Sequence, residues 1–328
     1  MIDMPPSATP TLPTQNSAQV QQLGSQYTPP SVKGLTLRIL IEAELARTRQ
    51  QQITTGAIVT NEKSGEKPVS INADRAFYAA SLNKLPVALL VEEDLRSGKL
   101  GMDQQLTWSD SDVRAGNGAF DQAGAAKSAK LKDVLFDMLN PSGNTAVRVL
   151  VNQALSGPQA VNDRLAAKPE LKVTRLDVLT PTSFYLGNTT GGEALGVMRK
   201  LLATSDQYQQ FIRNAMATNI FTNFGTRSQL TDKSGVTLVN KVGILDDVPN
   251  NVRHDVGFIY NNKTGTSYAY AFLTETPSAN NPNGSANEET SLQVLGSNAL
   301  RYAGDTSQGG PGKAIKRQVD LYTQKTLY

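Results

Sequence analysis

Two residues that could act together chemically lie three positions apart in the segment FYAASLNKLPVALLVEEDLR, residues 77–96. They are Ser81 and Lys84. The apolar run predicts a helix that Ser81 opens, and residues three apart lie about one turn from each other, so we expect the Lys84 amine to hydrogen-bond the Ser81 hydroxyl. A partly desolvated lysine with a lowered pKa can take the serine proton during attack on a carbonyl. The same spacing also fits a capping serine followed by a solvated lysine, so the pair needs support from the rest of the chain.

Two other short motifs carry residues of similar chemistry. Ser142-Gly143-Asn144 follows a turn and precedes a helical pattern, and Lys241-Val242-Gly243 lies in VTLVNKVGIL, whose alternation predicts a strand. A competing motif, Lys233-Ser234-Gly235, is typical of a turn, because Asp, Ser and Gly cluster there. We therefore expect Lys241, and not Lys233, to face a cleft.

The composition excludes several kinds of site. The 328 residues include 32 Lys and Arg against 29 Asp and Glu, and this small surplus gives no electrostatic reason to expect a nucleic-acid partner. Cysteine is absent and His254 is the single histidine, so disulfides, thiolate catalysis and the common zinc ligand sets are excluded. We expect no metal and no organic cofactor. His254 and Asp255 are neighbours on a predicted strand, so they point to opposite faces and are interpreted as structural.

The elements that must position the three motifs alternate between helix and strand patterns. We predict a helix over residues 35–49, a hairpin over 53–71, mostly helical patterns from 102 to 202, a helix over 207–217, strands over 237–244, 254–260 and 266–273, and a last helix over 291–302. Strands from both ends of the chain with helices between them predict an α/β (α+β) fold: one antiparallel sheet flanked by helices, an all-helical subdomain packed against it, and a cleft between the two.

The predicted organisation has four parts. They are a Pro/Ser/Thr/Gln-rich disordered tether (1–34), a sheet-containing subdomain (35–76 and 205–303), a helical subdomain (77–204) and a C-terminal tail (304–328). No export signal is visible in the sequence, and no run reaches the ~18 apolar residues that a membrane span needs.

Taken in order, the three motifs resemble the S-x-x-K, S-D-N and K-T-G boxes of the penicillin-recognising serine acyl-enzymes, and most closely those of the class A β-lactamases. Flanking segments such as LRSGKLGMDQQLTWSDSDV, NPSGNTAVRVLV and HDVGFIY are similar as well, so the resemblance covers roughly residues 36–303. It implies the β-lactamase/transpeptidase-like fold.

The resemblance also implies roles for the motif residues. Ser81 would be the acylated nucleophile, Lys84 its proton partner, and Ser142 the relay of a proton to the leaving nitrogen. Asn144 would bind the side-chain amide of the substrate.

The third box would supply the rest of the substrate site. Lys241 would hold the substrate carboxylate, and Gly243 and Ile244 would continue the substrate-binding strand. The backbone N–H groups of Ser81 and Ile244 would form the oxyanion hole.

Three departures from the family pattern weaken the expectation of activity. Gly143 replaces Asp in the second box, which mainly removes structural hydrogen bonds, and Val242 replaces the hydroxyl-bearing residue of the third. The Glu-Pro pair that activates the deacylating water corresponds to Thr180-Pro181, and threonine cannot act as that base. The loop from Pro181 to Asn188 is shorter than in the family, and Val178 and Asn188 replace the Arg–Asp ion pair that usually closes it. The loss of both ends together indicates a remodelled loop. Glu170 and Glu193 lie nearby and are interpreted as surface residues.

Three functions remain open from the sequence. The first is a β-lactamase-like hydrolase that is acylated at Ser81 and deacylates weakly, acting on β-lactams or related amides. The second is a D-Ala-D-Ala carboxypeptidase or other penicillin-binding protein. The third is a non-catalytic cell-wall-binding or sensor domain of the same fold. For all three we expect a small-molecule β-lactam or a peptidoglycan peptide as the ligand, no nucleic acid, a monomer, and an extracytoplasmic location.

Overall fold

The computed structural model describes residues 32–230, 235–246, 250–277 and 284–304. The predicted tether therefore lies outside the described residues up to position 31, and the predicted tail lies outside them after Gly304. Lys233, from the competing lysine motif, also falls outside the described residues. The predicted division into two subdomains stays a prediction.

The described residues form the following elements. The helices are α1 (Val32–Gln50), α2 (Lys84–Arg96), α3 (Leu131–Leu139), α4 (Asn144–Val149), α5 (Pro158–Ala166), α6 (Gly191–Leu201), α7 (Gln207–Ala217) and α8 (Gly284–Tyr302). The strands are β1 (Thr54–Asn61), β2 (Val69–Ile71), β3 (Ala76–Tyr78), β4 (Gln105–Thr107), β5 (Ser128–Lys130), β6 (Arg175–Thr180), β7 (Ser183–Thr190), β8 (Val236–Asp246), β9 (Asn250–Asn261) and β10 (Ser267–Pro277).

The central sheet is antiparallel and is built from both ends of the chain. Its strand order is β2-β1-β10-β9-β8, which confirms the predicted β1–β2 hairpin and the three returning strands. Side chains of β10 alternate between two apolar layers. Tyr270 and Phe272 pack with residues of α1 and α8, whereas Ala271 and Leu273 pack with the helical part of the chain. Both faces of the sheet are therefore covered, and β8 is left as an outer strand.

The helical region contacts the second face of the sheet through α6, which packs on β1, β9 and β10, and α2 packs against α6. Residues Leu85 to Val91 of α2 are all buried, and they join one apolar cluster with side chains of α3, α4 and α6. Burying a leucine or valine side chain contributes roughly 1.5–3 kcal/mol, so this helix is the centre of the larger core. Gly98 has φ +74° just beyond its end, as expected for a left-handed cap.

The prediction of mostly helical structure up to residue 202 is wrong between residues 175 and 190. There β6 and β7 form a hairpin that pairs with β3, in the order β3-β7-β6. The alternation of apolar and polar residues in this segment is weak, because the register between β6 and β7 shifts twice and interrupts the period of two. Gly187 has φ +61°, and a Cβ at this position would overlap the Arg175 carbonyl. Only glycine lets the two strands approach so closely.

Candidate active site

Ser81 lies on a short 3-10 turn, Ala80–Asn83, between β3 and α2. The structure therefore differs from the expected single helix, which begins at Lys84 and not at Ser81. Ala80 has φ +44°, an uncommon backbone conformation for a residue with a side chain. The Ala79 N–H donates to the Gly187 carbonyl at 2.7 Å, which fixes the chain just before this strained residue. The backbone of this turn fixes the position of Ser81, whose side chain is half-buried.

Lys84 is fully buried and points at the second motif. Its Nζ donates to the Ser142 carbonyl (2.5 Å), to Ser142 Oγ (3.1 Å) and to Asn144 Oδ1 (2.9 Å). The expected Lys84–Ser81 hydrogen bond is not formed, and Ser81 Oγ hydrogen-bonds to no side chain or backbone group of the described residues. Three acceptors match the three protons of an ammonium group, so loss of one proton would free a lone pair for the Ser81 hydroxyl.

The pKa of Lys84 lies near neutral pH. Burial lowers the pKa of Lys84 to about 7, and the negative charges of Asp121 and Asp137 oppose part of this effect. A lysine side chain in water is almost entirely protonated at pH 7. The free amine that can act as a base is therefore well populated here at neutral pH.

Ser142 joins the two lysines of the site. Lys241 Nζ donates to Ser142 Oγ at 2.8 Å and to the Val242 carbonyl at 3.0 Å, and it lies 5.9 Å from the centre of the Phe221 ring. Burial, together with the charge of Lys84, lowers the pKa of Lys241. The structure thus brings together Lys84, Ser142 and Lys241, one residue from each motif, around the Ser142 hydroxyl.

Asn144 is the first residue of α4, and both ends of its amide are engaged. Oδ1 accepts from Lys84, and Nδ2 donates to the Ala115 carbonyl at 2.8 Å. One N–H of the amide has no partner in these contacts and can face a ligand.

The start of α4 is held by a carboxylate that the sequence analysis missed. Asp121 accepts from the backbone N–H groups of Gly118 (2.8 Å), Asn144 (3.0 Å) and Thr145 (2.7 Å). A negative charge at a helix N-terminus is favourable. Asp121 lies 23 positions before Asn144, so no local spacing indicates this contact.

The third motif lies on β8, the outer strand of the sheet. A Cβ on Gly243 would lie 3.1 Å from the Ala79 carbonyl, so glycine lets β8 pass close to the turn that carries Ser81. Ile244, the next residue of β8, is half-buried, and its part in the expected oxyanion hole stays a prediction. Val242 is buried and pairs with Asp255 in the β8–β9 register.

His254 connects the sheet to the segment just before Ser81. Its Nε2 lies 2.8 Å from the Tyr78 carbonyl, and its Nδ1 accepts from the Thr274 N–H at 3.3 Å. Burial lowers the pKa of His254 to about 4, so the ring is neutral and Nε2–H is the donor. Asp255 points to the other face and accepts from Asn240. The interpretation of both residues as structural is confirmed.

Asn83, in the turn that carries Ser81, hydrogen-bonds to the base of the β6–β7 hairpin. Its Nδ2 donates to the carbonyls of Arg175 (3.0 Å), Asn188 (3.1 Å) and Leu186. At the other end of the hairpin, Thr180 pairs with Ser183 and is exposed. The segment expected to carry the deacylating group is therefore a β-hairpin. Asn83 holds its open end, and Thr180 lies near its turn.

Two other carboxylates considered from the sequence are both engaged. Glu170 is exposed and pairs with Lys200. Glu193 is half-buried and accepts from the backbone N–H groups of residues 172–174 and from the Thr174 hydroxyl, which differs from the expected surface position. Neither carboxylate is available as a free base in this arrangement.

A cavity of about 660 Å³ lies beside the Ser142 turn and does not include Ser81. Its walls include Phe120, Phe136, Phe211 and Ile220. Within the described ranges, no three His, Asp or Glu side chains are grouped so that they could hold a metal ion. No helix in the same part of the chain is both long and apolar enough to span a bilayer.

Comparisons with known proteins agree with this architecture. The profile of the beta-lactamase enzyme family matches residues 40–298. A D-alanyl-D-alanine endopeptidase of Pseudomonas aeruginosa is 29% identical over 163 residues, which are 48% of this chain and 50% of that protein. The chain thus spans about half the length of this curated relative.

Solved structures of low sequence identity share the fold. A point mutant of PBP-A, in an acyl-enzyme complex with penicillin G, has a TM-score of 0.66 at 20% identity, covering 84% of this chain and 98% of its own. A beta-lactamase from Sphaerobacter thermophilus has a TM-score of 0.66 at 21% identity, covering 81% and 97%. The expected β-lactamase/transpeptidase-like fold is therefore confirmed.

Proposed function

The chain belongs to the beta-lactamase enzyme family, and from this premise we propose that it is a serine hydrolase that is acylated at Ser81 by β-lactams or related amides and loses the acyl group slowly. The observation that carries this proposal is the position of Ser142 Oγ, 3.1 Å from Lys84 Nζ and 2.8 Å from Lys241 Nζ. Two buried amines on one serine hydroxyl suit proton transfer better than ligand binding alone, because burying lysines is costly.

In the proposed acylation, Ser81 Oγ attacks the amide carbonyl carbon while its proton passes to the free amine of Lys84. The oxyanion is bound by the backbone N–H groups of Ser81 and Ile244. The carbon–nitrogen bond then breaks, and the leaving nitrogen takes a proton from Ser142, which is replenished from Lys84. The transfer from Lys84 to Ser142 would use the 3.1 Å hydrogen bond between Lys84 Nζ and Ser142 Oγ.

Substrate binding would use charge more than hydrogen bonds at the third motif. Lys241 can attract the carboxylate of a substrate, but Val242 offers no hydroxyl beside it. A hydrogen bond to a charged group is worth about 1.5–3 kcal/mol, so affinity for carboxylate substrates should be lower by roughly tenfold or more.

Slow deacylation follows from the hairpin that replaces the base-bearing loop. Thr180 has no basic group and lies exposed at the hairpin tip, and Glu170 and Glu193 are held in other contacts. Without a base at the Thr180 position, water would attack the acyl-enzyme slowly.

A second candidate is a D-Ala-D-Ala carboxypeptidase or another penicillin-binding protein. Two observations favour it: the 29% identity to a D-alanyl-D-alanine endopeptidase and the absence of a basic group on Thr180, the residue expected to replace the deacylating glutamate. Both candidates form an acyl-serine, and they differ in whether a D-alanyl peptide or a β-lactam is turned over. For either one we infer an extracytoplasmic location, because peptidoglycan and the antibiotics that resemble it are met outside the cytoplasm.

The test is intact-mass measurement with a penicillin and turnover of a chromogenic cephalosporin and of a D-Ala-D-Ala peptide. We expect an adduct on the wild type and on Ser205→Ala, an exposed serine control, and none on Ser81→Ala. Weak cephalosporin turnover supports the first candidate, and a long-lived adduct with peptide turnover supports the second. An unmodified mass at saturating penicillin would refute both and leave the non-catalytic alternative.

A further inference from the structure

Gly143, in the second motif, is surrounded by another residue's carboxylate. A Cβ built on Gly143 would overlap Asp137 Oδ2, and it would lie 3.1 Å from the Asp137 carbonyl. The same carboxylate oxygen blocks the Cβ position of Gly118, which itself would meet the Gly143 Cα at 2.6 Å. The space that a side chain of the second motif would fill is therefore already occupied by Asp137 of α3.

Asp121 occupies a matching position on the other side of the motif. A Cβ on Gly116 would overlap Asp121 Oδ2 and would lie 2.8 Å from Asn144 Nδ2. Glycines at 116, 118 and 143 thus enclose two carboxylates. Both are nearly inaccessible, with Asp137 4% and Asp121 8% exposed.

Asp121 and Asp137 make different contacts near the second motif. Asp121 accepts three backbone N–H groups and fixes the start of α4. Asp137 Oδ1 accepts from the Ala119 N–H at 2.6 Å, and Asp137 Oδ2 has no hydrogen-bond partner in the described structure. A buried acceptor left without a donor is costly unless a nearby charge compensates it.

We propose that Asp121 and Asp137 together replace the acid missing from the second motif, and that they are positioning residues that hold the Ser142 turn and set the charge state of Lys84. Gly143 is glycine because Asp137 fills its side-chain space. The part of this inference that concerns Lys84 rests on the proposed acylation, whereas the part that concerns packing does not.

The electrostatics around Lys84 agree with this assignment. The charged groups that act on Lys84 or on which it acts are Asp121, Asp137 and Lys241. The two carboxylates raise the pKa of Lys84 against the effect of burial. Burial and the neighbouring Asp121 raise the pKa of Asp137, as expected for two acids placed side by side.

The test is an exchange of the carboxylate between the two positions. Four proteins are compared: wild type, Gly143→Asp, Asp137→Ala, and the double variant, which moves the acid to the motif position and empties the space it needs. Asp133→Ala, an exposed acid on the same helix, is the matched control. Urea unfolding reports the packing, and the pH dependence of penicillin acylation reports Lys84.

We expect Gly143→Asp to be the least stable protein, because two side chains then compete for one space. The double variant should recover most of that loss. In Asp137→Ala the acid limb of the acylation rate should move down by about one pH unit, because removing an anion disfavours the protonated lysine. The double variant should return the limb toward the wild-type position, and Asp133→Ala should leave it unchanged.

Two results would overturn the inference. One is a double variant no more stable than the sum of its single changes predicts. The other is an acid limb that does not move in Asp137→Ala or in Asp137→Asn, which keeps the side-chain shape if the alanine variant fails to fold. If the wild type forms no adduct, the proposed function fails, while the unfolding comparison still decides whether Asp137 fills the place of the missing acid.

Discussion

The replacement Asn144→Asp places a negative charge next to the amine proposed to act as the base. Asn144 Oδ1 lies 2.9 Å from Lys84 Nζ, and aspartate has nearly the same shape. At this distance two unit charges attract by about 6 kcal/mol when the effective dielectric constant is about 20. Since one pKa unit corresponds to about 1.36 kcal/mol, the upper bound is a rise of about four units in the pKa of Lys84.

Part of this rise will be lost to neighbouring acids. Asp121 and Asp137 already act on Lys84, and they repel a third carboxylate. We therefore expect the midpoint of the acid limb to move from about pH 7 in the wild type to about pH 9 in the variant. At neutral pH this leaves roughly one hundredth of the lysine as the free amine, so acylation should slow by more than tenfold.

The assay is the single-turnover acylation rate at saturating penicillin, measured from pH 5 to 10, so that weaker binding does not enter the result. Asn214→Asp adds the same charge at an exposed position of α7 and should leave the midpoint in place. A midpoint in Asn144→Asp within half a pH unit of the wild type would refute the role of Lys84 as the group whose free amine limits acylation.

Three further predictions concern other parts of the structure. Asn83→Ala removes the donor shared by three hairpin carbonyls, so the free energy of unfolding in urea should fall by about 2–4 kcal/mol; a fall below about 0.5 kcal/mol would show that the hairpin is held by other contacts. Burial raises the pKa of Glu288 from 4.5 to about 8. Between pH 4.5 and about 8 the folded protein therefore binds more protons than the unfolded chain. The folded state is destabilised at Glu288 as the pH rises through this range. Glu288→Gln should therefore gain roughly 3–5 kcal/mol over the wild type at pH 9 and little at pH 4 in thermal or urea unfolding, and an equal difference at both pH values would contradict the assignment. Val242→Thr should raise the apparent affinity for a carboxylate-bearing penicillin by about tenfold, measured as the concentration that gives half-maximal acylation; no change would show that the buried position 242 does not reach the substrate.

The sequence was sufficient where chemistry and period are local. Alternation in β8–β10 predicted the strands, and the helical repeat around Val87 predicted α2. The three motifs also carried the identities of Ser81, Lys84 and Lys241, because a nucleophile, a base and a cation are recognised by residue type. The remodelled loop after Thr180 was predicted because the family's ion-pair residues are missing from the sequence. Their loss does not indicate which structure takes the place of the family's loop.

The tertiary structure decided everything that depends on which distant segments meet. The sequence placed Lys84 one turn from Ser81, but a 3-10 turn and three competing acceptors direct the amine to Ser142 and Asn144. The β6–β7 hairpin exists because β3 offers it a paired edge, which no local propensity reveals.

The same reason explains why the sequence could not account for Gly143. Read alone, this glycine is the loss of an acid, whereas in the folded protein Asp121 and Asp137 come from two other elements and surround the position. Residue types along the chain determine which groups are available for the chemistry. Packing in three dimensions determines which of them share one space, and therefore how they are charged.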